Sequence, residues 1–145
     1  MSLQVLFPYV LALLINDNNE VLLGRRINAE WFSNHYGLLG GKIENNESAK
    51  QALARELFEE IGITINEHDA QFAHVMHFYG IDQTPCIALF FVIHSWRGEI
   101  ENKELHKNAA LEWFPLDTLP ATMIPRHAKA LTLLAEKILY SEDSW

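Results

Sequence analysis

The amino-acid sequence predicts one α/β domain, in which a mixed β-sheet is flanked by helices. Three observations predict this fold class. Short apolar runs of strand length alternate along the chain with two segments of helical composition. Two of the runs near the start are joined by a short turn, as in a β-hairpin. The 145 residues are 49% hydrophobic and 21% charged, which suffices for one globular core, and no linker or repeat divides them.

The first part of the predicted sheet precedes a pair of adjacent glycines, Gly40 and Gly41. Its apolar runs are bounded by Asn, Asp and Gly, residues that are typical of turns. The segments expected here are a buried strand at 5–15, a turn at 16–19, a hairpin partner at 20–26, a loop at 28–35, and a short strand and turn at 36–44.

Residues 47–61 predict an α-helix, because they are mostly Ala, Leu, Glu, Lys, Gln and Arg and contain no Gly or Pro. Asn45 and Asn46 precede the helix and can cap it, and Gly62 stands where a helix commonly ends. One side of this helix is apolar and is expected to be buried. It consists of Ala54, Leu57, Phe58 and Ile61.

The second half of the chain supplies the remaining strands and a closing helix. The segments expected here are strands at 72–79 and 86–96 joined by a turn at 82–85, a polar loop at 97–108, a short strand at 111–114, and an amphipathic helix at 125–140. Two histidines in the first of these strands, His74 and His77, are interpreted as ordinary sheet residues. This interleaving of strands and helices fits a mixed sheet covered by helices.

Three glutamates of the predicted helix indicate a metal site. Glu56, Glu59 and Glu60 are spaced i, i+3 and i+4, so they share one helix face and repel one another. A hard divalent cation would remove this conflict, and carboxylate oxygens suit magnesium or manganese rather than zinc or copper. For the three glutamates alone, a solvated acidic face is the alternative, since runs of charge usually face water.

The residues around the glutamates favour the metal site. The pattern is Gly41, five residues, Glu47, seven residues, Arg55-Glu56-Leu57, one residue, Glu59-Glu60, one residue, and Gly62-Ile63. It resembles the signature of the Nudix hydrolases, with every defining position filled. The resemblance implies an α/β/α sandwich with a mixed sheet. It also implies an enzyme that uses Mg²⁺, or Mn²⁺, to cleave a diphosphate linked to another group.

The resemblance implies metal ligands among the acidic residues. Glu59 and Glu60 would be the principal ligands, and Glu56 would bind metal or help to activate water. The backbone carbonyl of Gly40 would add another oxygen. Glu99 follows Trp96-Arg97-Gly98, a segment similar to one in members that cleave nucleoside triphosphates. It would serve as a metal ligand or base, with Glu104 as the competing candidate.

Other residues would support the carboxylates or contact substrate. Arg55 would orient the carboxylates, because a guanidinium fork suits pairing with them, and Glu47 would support the same network. The predicted contacts to substrate are Lys42 and Arg25 for phosphate, and Tyr36 and Phe78, with Trp31 and Phe32, for stacking on a base. Packing or surface exposure is the ordinary alternative for each of them.

The strongest resemblance is to members that hydrolyse nucleoside or deoxynucleoside triphosphates, including oxidised purine nucleotides, to the monophosphate and pyrophosphate. Residues 121–125, which precede the closing helix, offer no Asn or Asp that could read a guanine-type base. Cleavage of ADP-ribose or another nucleotide sugar is an alternative, because the signature recognises the diphosphate and not the groups attached to its two ends. A nucleotide-sensing module without catalytic activity is an alternative of another class. Loss of the glutamates would have favoured this alternative, and none of them is lost.

Composition and charge exclude several partners. The net charge of -8 argues against binding to nucleic-acid polymers, which requires basic patches. Cys86 is the only cysteine, so an intramolecular disulfide is excluded, and its apolar surroundings predict burial. The apolar residues 3–15 lack a basic segment before them and are too short to span a bilayer. A cytoplasmic enzyme without a membrane partner is therefore expected, and a homodimer is compatible with the sequence.

Overall fold

The computed structural model describes residues 2–80 and 82–143, which form two β-sheets and two α-helices. The strands are β1 (Phe7–Leu14), β2 (Glu20–Arg26), β3 (Tyr36–Gly37), β4 (Leu39–Lys42), β5 (Ala70–Tyr79), β6 (Pro85–Ile93), β7 (Asn108–Pro115) and β8 (Tyr140–Asp143). The helices are α1 (Ala49–Ile61) and α2 (Pro125–Ala135). The larger sheet has the order β4-β1-β6-β5-β8, and the smaller sheet has the order β3-β2-β7.

The larger sheet is mixed, as predicted. Strand β1 runs parallel to the central strand β6 and antiparallel to β4. Strand β5 is antiparallel to β6 and parallel to β8. In the smaller sheet, β2 is antiparallel to both of its neighbours.

Two hydrophobic clusters lie on opposite faces of the larger sheet. On one face, Leu53, Leu57 and Ile61 of α1 pack against alternate residues of β1, among them Val10. On the other face, α2 and the smaller sheet cover a second cluster that includes Leu131 and Phe90. The predicted α/β/α sandwich is therefore confirmed, with the larger sheet as its middle layer.

The helix that carries the glutamates starts two residues later than predicted, and its cap is a different residue. Ser48 caps α1, because its hydroxyl accepts a hydrogen bond from the Gln51 backbone N–H while the Gln51 side chain accepts from the Ser48 N–H. Asn45 and Asn46 lie in the preceding turn. Gly62 ends the helix with a φ of 75°, as predicted.

The buried face of α1 is rotated relative to the prediction. Phe58 was expected to be buried, but it is 62% exposed, whereas Ala52 and Leu53 are fully buried. Glu60 lies at the edge of this buried face and is only 9% exposed. The prediction was wrong because apolar residues surround much of this helix. The layer against which the helix packs then decides which of them are buried.

The predicted hairpin between the first two strands is wrong. Strands β1 and β2 belong to different sheets and are joined only by the isolated bridge between Ile15 and Val21. Both edges of β1 are occupied by β4 and β6, so β2 pairs with β3 and β7 instead. A short turn between two strands therefore does not fix their pairing here.

The closing helix is shorter than predicted and is followed by a strand. Helix α2 ends at Ala135 rather than at residue 140, and Lys137 adopts a left-handed φ of 61° that breaks the helix. The chain then forms β8 alongside β5. His74, buried in β5 as a sheet residue, contacts the Ile138 carbonyl and the Ser141 hydroxyl with its two ring nitrogens. Long-range pairing therefore overrides the local helical pattern.

The remaining predicted segments are confirmed with shifted bounds. The largest shifts are in β6, which spans Pro85–Ile93 rather than 86–96, and in β7, which spans Asn108–Pro115 rather than 111–114. Cys86 is buried in β6, as predicted. Within residues 2–80 and 82–143, no helix has the length and apolar character needed to cross a membrane.

Candidate active site

A cleft of about 930 Å³ opens between the two sheets and is lined by residues from both sheets and both helices. Its floor is apolar and includes Leu11, Ala88 and Phe90. We call one part of the cleft the acidic end, formed by Glu56, Glu60, Gly40 and Gly41. We call another part the donor end, formed by Arg26, Arg126 and His127.

The centre of the acidic end is the carboxylate of Glu60. It is 9% exposed and accepts a hydrogen bond of 3.0 Å from the Gly40 backbone N–H. Among the described residues, no ion pair joins Glu60 to a cationic side chain. Burial, followed by the charge of nearby Glu56, raises the pKa of Glu60 to about 8. This carboxylate is thus held in the cleft without a direct counter-ion.

Two adjacent glycines of β4 allow close approach on different sides, Gly40 to the strand β1 and Gly41 to the helix α1. A Cβ on Gly40 would lie 2.0 Å from the Val10 backbone oxygen, and the φ of Gly40 is +146°. A Cβ on Gly41 would lie 2.4 Å from Oε1 of Glu56. Since real Cβ atoms do not approach other atoms this closely, Gly40 lets β4 lie against β1, and Gly41 leaves room for the Glu56 carboxylate.

Arg55 connects the carboxylates of α1 to the turn that precedes the helix. Its guanidinium donates to both oxygens of Glu47 at 2.7 and 3.0 Å, and to Oε1 of Glu56 at 2.9 Å. It also donates to the Lys42 carbonyl at 3.1 Å. The fork therefore holds the Glu47 turn, the end of β4 and Glu56 in one arrangement.

Arg55 and Glu47 keep each other ionised, whereas burial has the opposite effect on Glu56. The hydrogen bond from Arg55 lowers the pKa of Glu47 to about 2. The pKa of Arg55 is raised, chiefly by Glu47. For Glu56, burial outweighs the contact with Arg55 and raises the pKa of the carboxyl.

The three predicted ligands of α1 do not occupy equivalent positions. Glu56 and Glu60 line the cleft. Glu59 lies at the outer edge, with its side chain 53% exposed and 3.4 Å from Arg55. Its role as a principal ligand stays a prediction.

The structure places Glu104 closer to the acidic end than Glu99. Glu99 lies on an exposed part of the loop that follows β6. The side chain of Glu104 is 15% exposed, and its charge raises the pKa of Glu60. Lys107, which lines the cleft, pairs with Glu104 at 2.9 Å.

Four of the six predicted substrate contacts line the cleft. Lys42 does so, with its ammonium 4.0 Å from the centre of the Phe7 ring. Phe78 does so as well, beneath the guanidinium of Arg126 at 4.2 Å. The loop residues Trp31 and Phe32 also line the cleft.

The other two predicted substrate contacts, Arg25 and Tyr36, are not among the residues that line the cleft, and their contact with substrate stays a prediction. Arg25 donates to Asn34, and the Tyr36 hydroxyl donates to Glu112. Side chains alternate along a strand, and it is the neighbours of these two residues, Arg26 and Gly37, that line the cleft. The sequence did not fix which member of each pair would face the site.

The donor end contains the residue that sequence reasoning missed. His127 lies in the first turn of α2, and its Nδ1 accepts a hydrogen bond of 3.0 Å from the Leu38 backbone N–H. Burial, with Arg26 and Arg126 nearby, lowers the pKa of His127 to about 3. No local pattern marks this histidine, because its partners come from β2 and the β3–β4 connection.

The donor atoms of the acidic end fit a hard divalent cation. Two carboxylates and the carbonyls of a glycine pair are all oxygen ligands, and a buried carboxylate with a raised pKa and no counter-ion is a suitable place for a positive ion. Within the described part of the chain, no three His, Cys, Asp or Glu side chains already converge as a complete metal cage. Waters and substrate phosphates usually complete the shell of Mg²⁺.

Comparison with known proteins agrees with this geometry. The sequence matches the NUDIX domain family over residues 5–134. The chain belongs to the Nudix family. This confirms the predicted family and the predicted enzyme class, a Nudix hydrolase acting on phosphorus anhydrides.

Relatives of this Nudix hydrolase act on nucleotides. The 8-oxo-dGTP diphosphatase of Escherichia coli is 34% identical over 110 residues, which are 76% of this chain and 81% of that protein. The CTP pyrophosphohydrolase of the same organism is 31% identical over 108 residues, which are 72% of this chain and 73% of that protein.

Solved structures share the Nudix fold. The MutT NUDIX hydrolase from Burkholderia pseudomallei superposes with a TM-score of 0.80 and 28% identity, covering 89% of this chain and 98% of that one. A bifunctional NMN adenylyltransferase/ADP ribose pyrophosphatase from Francisella tularensis, complexed with AMP and a manganese ion, superposes with a TM-score of 0.66 and 25% identity. It covers 95% of this chain and 43% of that one.

Proposed function

We propose that this Nudix hydrolase converts a nucleoside or deoxynucleoside triphosphate and water to the monophosphate and pyrophosphate, with Mg²⁺ as cofactor and Mn²⁺ as a substitute. The observation that carries the proposal is the buried carboxylate of Glu60, which lies beside Glu56 and the glycine pair in a nucleotide-sized cleft. The relatives that act on 8-oxo-dGTP and CTP support a triphosphate substrate.

The acidic end would hold the metal through Glu56, Glu60 and the backbone carbonyl of Gly40, with Glu59 reaching in from the rim. When bound, the cation would neutralise charge on the phosphate oxygens and favour ionisation of an attacking water. Arg55 would act as a positioning residue, because its contacts join Glu47, Glu56 and the end of β4.

Glu104 is our candidate for the carboxylate that takes a proton from the attacking water, ahead of Glu99. Its charge already acts on Glu60, and its pairing with Lys107 fixes its position. The water oxygen would bond to one phosphorus of the anhydride bridge while the bond from that phosphorus to the bridging oxygen breaks, and the phosphate group that leaves with the bridging oxygen would keep the electron pair of that bond. Lys42 and Lys107, both in the cleft, would contact the phosphate oxygens.

Positioning and charge neutralisation would supply most of the rate. No side chain needs to form a covalent bond to phosphorus in this scheme. The net charge of -8 repels a polyanionic substrate. The metal and the cationic side chains of the cleft must therefore offset this repulsion when the substrate binds.

The test is a substrate panel with purified protein and Mg²⁺, in which products are separated by chromatography. The panel would contain common and oxidised nucleoside triphosphates, ADP-ribose and dinucleoside polyphosphates. Formation of a monophosphate and pyrophosphate from a triphosphate is the expected result. Cleavage of ADP-ribose alone would replace the substrate, and no turnover by the folded, metal-loaded protein would contradict the proposal and favour a nucleotide-sensing module.

The cytoplasm is the expected location of this activity, because nucleoside triphosphates are the proposed substrates and the sequence shows no membrane-spanning pattern.

A further inference from the structure

The orientation of His127 in the cleft is fixed by its neighbours. Its Nδ1 accepts the Leu38 N–H at 3.0 Å. The ring packs over Gly37, where a Cβ would lie 3.3 Å from Nδ1 and 3.4 Å from Cε1. Gly37 therefore makes room for the ring, and the hydrogen bond to Leu38 sets its rotation.

The hydrogen bond also fixes which ring nitrogen carries the proton. In a neutral imidazole, one nitrogen accepts and the other donates. Because Nδ1 accepts from a backbone N–H, the proton lies on Nε2. Burial, followed by the positive charges of Arg26 and Arg126, opposes a second proton by lowering the pKa of His127 and keeps the ring neutral.

The donor atom Nε2 is available to a ligand. Among the described residues, every fully buried side-chain nitrogen and oxygen has a hydrogen-bond partner. The hydrogen bond of His127 to protein is the one through Nδ1. Since His127 lines the cleft and Nε2 has no protein partner in this part of the chain, Nε2 is reached from the cleft.

His127 lies at a distance from the acidic end that suits the base of a bound nucleotide. Its anchor Leu38 precedes Gly40, the anchor of Glu60, by two residues. Two residues of extended chain span roughly 7 Å, so a substrate with its phosphates at Glu60 that extends along this part of the cleft would bring its base near His127. A neutral donor there suits a neutral acceptor, and the carbonyl oxygen of a keto base is one such acceptor in a nucleotide.

We infer that Nε2–H of His127 donates a hydrogen bond to the carbonyl oxygen at position 6 of a purine or position 4 of a pyrimidine, so that keto bases are preferred to amino bases. The inference rests on the proposed triphosphate hydrolysis and narrows its substrate class. An exocyclic amino group at the same place would put donor against donor and leave Nε2–H without an acceptor. His127 is thus a specificity-determining residue, and guanine-type and uracil-type triphosphates are the favoured substrates.

The test compares two pairs of triphosphates that differ at this position, ITP against ATP and UTP against CTP. We expect wild-type kcat/KM to favour the keto member of each pair about tenfold or more, the factor that one hydrogen bond supplies. His127→Asn keeps an acceptor for the Leu38 N–H but is too short to present a donor at the Nε2 position. It should reduce the preference to within about threefold by slowing the keto member alone.

His94→Asn is the matched control, because His94 is exposed beyond the end of β6 and should leave the ratio unchanged. Equal wild-type turnover within each pair, or an unchanged ratio in His127→Asn, would overturn the inference while leaving the proposed function intact. No turnover of any triphosphate would overturn the proposed function and this inference with it.

A measurement on the wild-type protein covers the case in which His127→Asn does not fold. Histidine labelled with nitrogen-15 should show His127 as the Nε2-protonated tautomer. Its Nε2 resonance should shift on addition of IMP with Mg²⁺ and stay in place with AMP. A proton on Nδ1, or the same response to both products, would contradict the assigned hydrogen bond.

Discussion

The acidic end and the donor end of the cleft are built in opposite ways. Glu56 and Glu60 lie on one helix, and their support from Glu47 and Arg55 comes from the same stretch of chain. Arg26, Arg126 and His127 come from β2 and α2, which are far apart in sequence. The metal-binding chemistry that we propose for every substrate would thus lie on one local segment, whereas the groups proposed to read the base depend on how distant elements pack.

The largest expected effect is at the acidic end. Glu60→Gln keeps an acceptor for the Gly40 N–H but removes the negative charge, so we expect kcat to fall by about 10³-fold or more while the fold is retained. Steady-state kinetics and thermal unfolding would measure both properties. Glu101→Gln is the control, since Glu101 is exposed and pairs with Lys103. A rate within tenfold of wild type would exclude Glu60 as a metal ligand.

Substitutions at the two adjacent glycines should affect stability and activity to different degrees. Gly40→Ala places Cβ against the Val10 backbone, so it should lower the free energy of unfolding by about 3 kcal/mol or more. Gly41→Ala meets only the Glu56 side chain, which can move, so unfolding should change by less than about 1 kcal/mol. The displaced Glu56 should still lower kcat by about 10²-fold. Urea unfolding and kinetics on both variants would show whether the two effects separate; equal destabilisation would contradict this account.

Activity should depend on the forked shape of the Arg55 side chain and not only on its positive charge. Arg55→Lys keeps a cation but cannot contact Glu47, Glu56 and the Lys42 carbonyl together, so kcat/KM should fall about 10- to 100-fold. Titration with Mg²⁺ should show weaker metal binding. Arg97→Lys, at an exposed arginine, is the control. Wild-type metal affinity in Arg55→Lys would argue against a positioning role.

The smallest expected effect is the contribution of His127, at the donor end, to the pH dependence of the free energy of unfolding. The unfolded histidine takes up a proton near pH 6.5, whereas His127 in the folded protein does so only near pH 3. Between these values the unfolded state binds more protons, so stability should fall as pH decreases, by at most about 1.4 kcal/mol per pH unit. Unfolding free energies of wild type and His127→Asn between pH 4.5 and 7 would isolate this contribution. Parallel pH profiles would contradict the assignment.

Much of the acidic end could be predicted because its information is local. The spacing of Glu56, Glu59 and Glu60 fixes their position on a helix, and Gly62 fixes where that helix ends. Burial of Glu60 and exposure of Glu59 could not be predicted from this local spacing. They depend on the rotation of α1 against the larger sheet, which also exposes Phe58.

The differences between prediction and structure share one physical cause, which is that pairing partners far away in sequence decide local outcomes. Residues 136–140 have a helical pattern, but pairing of the following residues with β5 makes β8 instead. Arg25 and Arg26 have the same chemistry, and the register of β2 against β3 and β7 decides that Arg26 faces the cleft.

The sequence by itself determined the family, the α/β/α sandwich and the acidic helix, because residue spacing within one helix translates directly into geometry. Only the tertiary structure decided that Glu60 lacks a counter-ion, that Glu104 approaches it, and that His127 presents Nε2–H to the cleft. These features depend on burial and on contacts between separate elements. A carboxylate or an imidazole acquires its chemical role from that environment.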